Sequence, residues 1–310
     1  MNKRHRPARP YDENCGRRSS SGYRGKARDL KHTSDKNCNK HRHADDVDFY
    51  GAIPSVWGEE EWKLMETSAT PEGTAMELMQ NGRELAIFVN GMELMASGQH
   101  GSEELMACMS LYLHQYPESL CNGGLRNIAS EAFVPSWNKN KVPCCNEPLD
   151  ILIGGLGLGY TLRAALDCTG SSSHVCVAEL MECVIRWNQG ILGRLADYPL
   201  RDERTRIMPG DVRNAAVSAD WDIIMLDVDN GPSPVSQESN VELYGNDGIS
   251  MFMEHLRPGG ILAVWSVCPD KNFIGRMQHL GLLCRSFEVP AILGTKDCDR
   301  HTLFFALKND

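Results

Sequence analysis

At 310 residues, 42% apolar and 24% charged, the chain is long enough for one large domain or a small one beside a larger, and apolar enough to build a core. No apolar run nears the roughly 20 residues that span a bilayer, which excludes a membrane helix, and twelve cysteines without C-x-x-C or zinc-type spacing exclude a zinc module. The net charge of −9 is uneven: residues 1–43 hold 13 Lys/Arg against 4 Asp/Glu, or +9, which leaves 19 against 37, or −18, for the rest. An acidic body disfavours nucleic acid as a substrate.

Residues 1–46 are basic, contain Ser, Gly, His and Pro, and have few apolar side chains. Such a tail cannot bury enough surface to fold alone and is predicted to be disordered. Its Arg and Ser content also suits organelle targeting. Cys108, Cys176, Cys183 and Cys284 fall inside apolar patterns, as small hydrophobes of a reducing compartment do. A cytoplasmic location is therefore expected, with an organelle as the alternative.

Residues 47–116 read as an N-terminal β region and helix. Short strands are predicted at 61–68, 75–80, 84–89 and 92–96, with Asn81-Gly82 and Asn90-Gly91 as hairpin turns. The free edges of that sheet offer a homodimer surface. Residues 102–114 follow a helical period, with Leu105, Met106, Met109 and Leu113 on one side. The stretch 117–149, rich in Pro, Gly, Asn and Ser, reads as a loop insertion. From 150 to 310 strands (150–154, 174–179, 205–208, 221–227, 260–266) alternate with helices (159–168, 181–195, 211–217, 246–257), which favours a largely parallel sheet. A helix near 271–280 and strands at 283–289 and 301–307 complete an α/β, Rossmann-like domain.

The most informative stretch is 150–179. An apolar run enters the turn Gly154-Gly155-Leu156-Gly157-Leu158-Gly159, a helical pattern follows, and a second apolar run ends at Glu179. Strand, glycine turn, helix, strand and acid open a nucleotide-binding unit. Gly155, Gly157 and Gly159 let the backbone approach a ligand, and Glu179 suits ribose hydroxyls. Asp211, after the third strand, is placed toward the adenine end, although Asp is also a common helix N-cap. Asp227, closing the fourth strand, is placed at the reacting centre. A dinucleotide fingerprint wants a small residue where Tyr160 stands, and no Gly-Lys-Ser/Thr follows the glycines, so an adenosyl ligand is the better expectation.

From about 61 to 308 the chain resembles the spermidine synthase-like branch of the class I S-adenosylmethionine-dependent methyltransferase superfamily. The resemblance lies in HGSEELMA, GGLGLGYTLRAAL, VAEL, GDV, LDVDNGP and LRPGGILAVWS, in that order. It implies a donor of the S-adenosylmethionine type and a small-molecule acceptor, without a metal. Aminopropyltransferases of this kind carry an acid within the glycine turn that holds the amine of decarboxylated S-adenosylmethionine, and here that place is Leu158. Intact S-adenosylmethionine brings its own carboxylate, which bare N–H groups at a helix start suit better. The catalytic loop resembles the family's in Asp227 and departs from it at Asn230, with Asp229 able to substitute by a shift. The family's acceptor-binding Asp and Tyr align near Gly98 and Ser102. Gln99, His100 and Glu103 stand nearby instead, His100 as a base or acceptor-orienting group, and Trp265 is a pocket wall or a core residue. Methyl transfer is the leading expectation. Aminopropyl transfer to a polyamine and a non-catalytic nucleoside-binding scaffold are the alternatives.

Overall fold

The computed structural model describes residues 61–71, 73–134, 145–228, 231–232 and 242–309, which fall in one unit beginning at Gly58. The predicted tail, residues 135–144 of the insertion, Asp229 and Asn230 lie outside the described residues. Four antiparallel strands come first: β1 (Lys63–Ala69), β2 (Ala75–Asn81), β3 (Glu84–Val89) and β4 (Met92–Ala96), in the order β1-β2-β3-β4. Asn90 and Gly91, with φ of 52° and 74°, make the two-residue turn that joins β3 to β4. The preceding hairpin turns one residue later than expected, because Asn81 still pairs with Glu84.

Helix α1 (Gly101–Gln115) buries Ser102, Ala107, Cys108, Ser110 and Leu111 as well as the predicted apolar side. A helix covered on most sides belongs to the interior, and α1 touches the helix of the glycine turn and four strands of the larger sheet. The stretch read as loop insertion holds two short helices, α2 (Ser119–Asn122) and α3 (Gly124–Glu131). Leu120, Leu125 and Ala129 anchor them in the core, a spacing too short to stand out as a helical period.

The larger sheet runs through β5 (Asp150–Gly154), α4 (Tyr160–Asp167), β6 (His174–Glu179), α5 (Glu182–Gln189), β7 (Thr205–Pro209), α6 (Val212–Ala216) and β8 (Trp221–Leu226). It continues with α7 (Asn246–Glu254), β9 (Leu256–Ser266), α8 (Lys271–His279), β10 (Leu283–Pro290) and β11 (Arg300–Leu307). The strand order is β10-β11-β9-β8-β5-β6-β7, parallel from β9 to β7, with β11 antiparallel to β9 and to β10. Alternate residues feed opposite cores. Ile151, Ile153, Ile223, Met225, Ile261, Ala263, Leu303 and Phe305 join the cluster containing α1 and α4. Leu152, Ile224, Leu226, Leu262, Val264, Phe304 and Ala306 join the one containing α6, α7 and α8. Period-two burial on both faces explains the near-continuous apolar strands. It also fixes register, since a one-residue slip would exchange the two cores. Chain order reverses between β5 and β8, and the site lies at their carboxyl ends.

Candidate functional site

Gly154 pairs with Leu226, so the first residues beyond both strands, Gly155 and Asp227, stand side by side. The Asp227 N–H donates to the Gly154 carbonyl (2.8 Å), and the Gly155 N–H to that of Ala178 (2.8 Å). Gly155 has φ of 89°, and a Cβ there would sit 2.1 Å from the Asp227 carbonyl oxygen. Only glycine allows that approach. Gly159, with φ of 85°, caps α4. Met95 of β4 lies over the turn, its sulfur 3.2 Å from where a Cβ on Gly157 would be.

Glu179 is 8% exposed and holds the turn from the side. Its Oε2 accepts from the Leu156 N–H and its Oε1 from the Met181 N–H, both at 2.8 Å. The next residue, Leu180, is 51% exposed and offers an apolar surface beside the turn. Leu158, in contrast, is 5% exposed and packs in the core. Asp211 is the N-cap of α6: its carboxylate accepts from the Arg213 N–H at 2.8 Å and pairs with the Arg213 guanidinium at 2.6 Å. Those hydrogen bonds hold its pKa below the ordinary carboxylate range.

Asp227 Oδ2 accepts from the Thr161 hydroxyl at 2.6 Å. Burial pushes the Asp227 carboxyl above its usual range, and the Thr161 hydrogen bond opposes that shift. Glu103, on the first turn of α1, lies near enough to Asp227 for the two charges to repel. Burial first, then the Asp227 charge, pushes Glu103 up further still. Both side chains are half-buried and keep partial solvent access. Two half-buried carboxyls near one another cannot both ionise cheaply, so the pair retains a proton that exposed carboxyls would have lost.

Ser102 lies beneath Glu103, fully buried. Its Oγ is 2.5 Å from Glu103 Oε2, 2.7 Å from His301 Nδ1 and 2.9 Å from Trp265 Nε1. The Trp265 ring also meets His301 edge-on at 4.7 Å. Trp265 therefore supports the site through its N–H as well as filling the core. Burial pushes the His301 imidazole down to about 4, so it is neutral at physiological pH.

The remaining acceptor-side candidates point elsewhere. His100 stacks on Tyr160 (centroids 4.0 Å, planes 14° apart), and its Nδ1 is 2.8 Å from Glu104. Tyr160, which breaks the dinucleotide pattern, also donates to the Ser97 carbonyl at 3.2 Å. Gln99 Nε2 lies 3.5 Å from Asp299 at the approach to β11. Thr161, Ser102 and His301 were not among the sequence candidates. Thr161 carried a local signal, two residues past the last glycine of the turn. His301 is 199 residues from Ser102 and carried none. Among the described residues, no group of three or more His, Cys, Asp or Glu side chains is arranged to hold a metal ion. No helix there is long and apolar enough to cross a membrane. Two hollows elsewhere, of about 360 Å³ beside Leu280 and Lys308 and about 220 Å³ beside Arg126 and Arg285, lack any such convergence of buried polar groups.

No family model and no curated protein matches the chain. Solved structures do. A spermidine synthase in complex with the transition-state analogue AdoDATO is 15% identical, with 80% of this chain and 73% of that one covered and a TM-score of 0.56. The spermidine synthase from Thermotoga maritima is 14% identical, with 81% and 75% covered and a TM-score of 0.58. At such identities the likeness is one of fold, and in fold it agrees with the resemblance carried by the motifs.

Proposed function

We propose that this chain is a transferase that binds S-adenosylmethionine beside β5 and moves its methyl group to a small-molecule acceptor. The observation that carries the reading is Asp227: a partly accessible carboxyl fixed by Thr161, set against the glycine turn, and near the proton-retaining Glu103. The residues fit an adenosyl ligand. The turn takes positive φ at Gly155, Gly157 and Gly159, an acid ends β6, and the exposed Leu180 offers an apolar surface beside it. Gly155, Gly157 and Gly159 would hold the donor's backbone-facing side, with Glu179 at the ribose and Asp211 toward the base. When bound, the sulfonium donor supplies an activated carbon and departs as a neutral thioether, so little acid catalysis of the leaving group is needed.

The protein's part is to hold the acceptor in line and take up its proton. Asp227 is proposed for that contact, with Asp229 and His100 as further candidates and Gln99, Glu103, Asn230 and Trp265 on the acceptor side. The His100–Glu104 contact and Tyr160 stack favour an orienting part for His100. Leu158 favours methyl transfer, because an apolar core residue stands where the resembled aminopropyltransferases have their amine-binding acid. One observation favours the second reading, aminopropyl transfer from decarboxylated S-adenosylmethionine to a polyamine. Glu103 restores a second carboxyl beside Asp227, and paired carboxyls suit a cationic amine. A cytoplasmic homodimer completes the proposal.

Calorimetric titration with both sulfonium compounds tests it. The intact compound is expected to bind more tightly, and Asp227→Asn to lower turnover by roughly 10²–10⁴-fold while leaving donor affinity within a few-fold. Tighter binding of the decarboxylated compound would move the reading to aminopropyl transfer. Binding of neither would make the chain a scaffold.

A further inference from the structure

We propose that Ser102, His301 and Trp265 are positioning residues that wire the proton on Glu103 to the tautomer of His301. Three polar atoms surround the Ser102 Oγ within 2.9 Å, yet a hydroxyl has one proton to donate and two lone pairs to accept with. Trp265 Nε1 can only donate, so it takes one lone pair. One proton and one lone pair remain for Glu103 and His301. One of the two must therefore donate to Ser102 while the other accepts from it.

With a neutral His301 and the acid proton of Glu103 on Oε2, the oxygen that meets Ser102, two arrangements satisfy every atom. In the first, a protonated Glu103 donates to Ser102, and Ser102 donates to a His301 Nδ1 whose ring proton is on Nε2. In the second, His301 Nδ1–H donates to Ser102, and Ser102 donates to an ionised Glu103. An ionised Glu103 beside an unprotonated Nδ1 leaves two acceptors for one proton, and a Glu103 protonated on Oε2 beside Nδ1–H leaves two donors for one lone pair. Buried polar groups are seldom left so. Ionisation of Glu103 thus passes its proton to Ser102 Oγ, passes the Ser102 proton to His301 Nδ1, and releases one proton from Nε2. No electron changes hands. The groups facing this path are Asp227 from the end of β8, Glu104 on the same helix and Tyr160 at the start of α4, with Asp299 beside His301. Its use in group transfer rests on the reading above, where it would let Glu103 change charge beside the acceptor without stranding a partner. The wiring itself needs no ligand.

The test is nitrogen NMR of the His301 ring in the full chain, without added ligand, from mildly acid to mildly alkaline pH. In the wild type the N–H is expected to move from Nε2 to Nδ1 as Glu103 ionises. Glu103→Gln, which cannot ionise, should keep one tautomer throughout. Ser102→Ala should break the coupling, so that the tautomer no longer follows pH. A wild-type His301 that keeps one tautomer, or a switch that survives Glu103→Gln, overturns the proposal. Failure of both sulfonium compounds to bind would remove the transferase reading and leave this titration unaffected.

Discussion

Asp227 and Glu103 reach the same crevice by different routes, one at the tip of a sheet strand and the other on the first turn of an inserted helix. Among the described residues neither has a salt-bridge partner, and each is held by a hydroxyl, Thr161 for Asp227 and Ser102 for Glu103. A hydroxyl orients a carboxyl without adding charge, so burial dominates and both carboxyls stay above their ordinary range. The sign of the pH effect on stability follows. An acid whose folded value is raised binds more protons folded than unfolded, so its contribution is fully present below the unfolded value of about 4 and is lost as pH rises through the folded one. Glu103→Gln removes the larger of the two shifts. Thermal melts from acid to alkaline pH should show the wild type losing stability as pH rises, with a flatter profile in the variant. Equal slopes would mean that Glu103 titrates as an exposed carboxyl. Asp211 behaves oppositely: its capping and Arg213 contacts stabilise the ionised form.

Helix starts and strand ends supply every residue of the site, because side chains converge where the apolar layers stop. The turn between β5 and α4 is the tightest of these junctions. Its geometry depends on Gly155, where a side chain faces both a positive φ and the Asp227 carbonyl. Gly155→Ala should therefore destabilise the fold by about 2–4 kcal/mol, combining the left-handed penalty with overpacking. Asp211→Ala, which loses a cap and a partly exposed ion pair with Arg213, should cost about 1 kcal/mol. Denaturant unfolding of the two variants separates them, and equal losses would contradict the close approach of β5 and β8. Asp211 as an N-cap and Glu179 as a latch on the Leu156 N–H show that residues proposed to meet a ligand also hold their own elements together.

Across the molecule, the site gathers β4 through Met95, α1 through Ser102 and Glu103, α4 through Thr161, β8 through Asp227 and β11 through His301. The α1 helix makes this possible by lying inside the fold, touching α4, β8, β9 and β11. A ligand in the crevice should therefore stabilise all described elements together. With S-adenosylmethionine at about 100 times its Kd, unfolding should shift as one transition by about 2.7 kcal/mol. Calorimetric melting checks this, and a small-sheet transition that stayed put while the rest moved would show that Met95 does not couple β4 to the turn.

Local pattern determined the elements of the larger sheet and their order, because strands buried on both faces leave apolar runs and glycine turns leave spacing. It also placed Gly155, Glu179 and Asp227 at strand ends, since each follows an apolar run directly, and Asp211 just beyond one, after Pro209-Gly210. It did not reveal α2 and α3, whose few anchoring residues are too short a series to show a period. Only the tertiary structure decided that Glu103 lies near Asp227, that His100 turns to Glu104 and Tyr160, and that Ser102 joins Trp265 and His301. Those contacts span up to 199 residues of chain, and a hydrogen bond between distant residues imposes no spacing that a linear sequence can display.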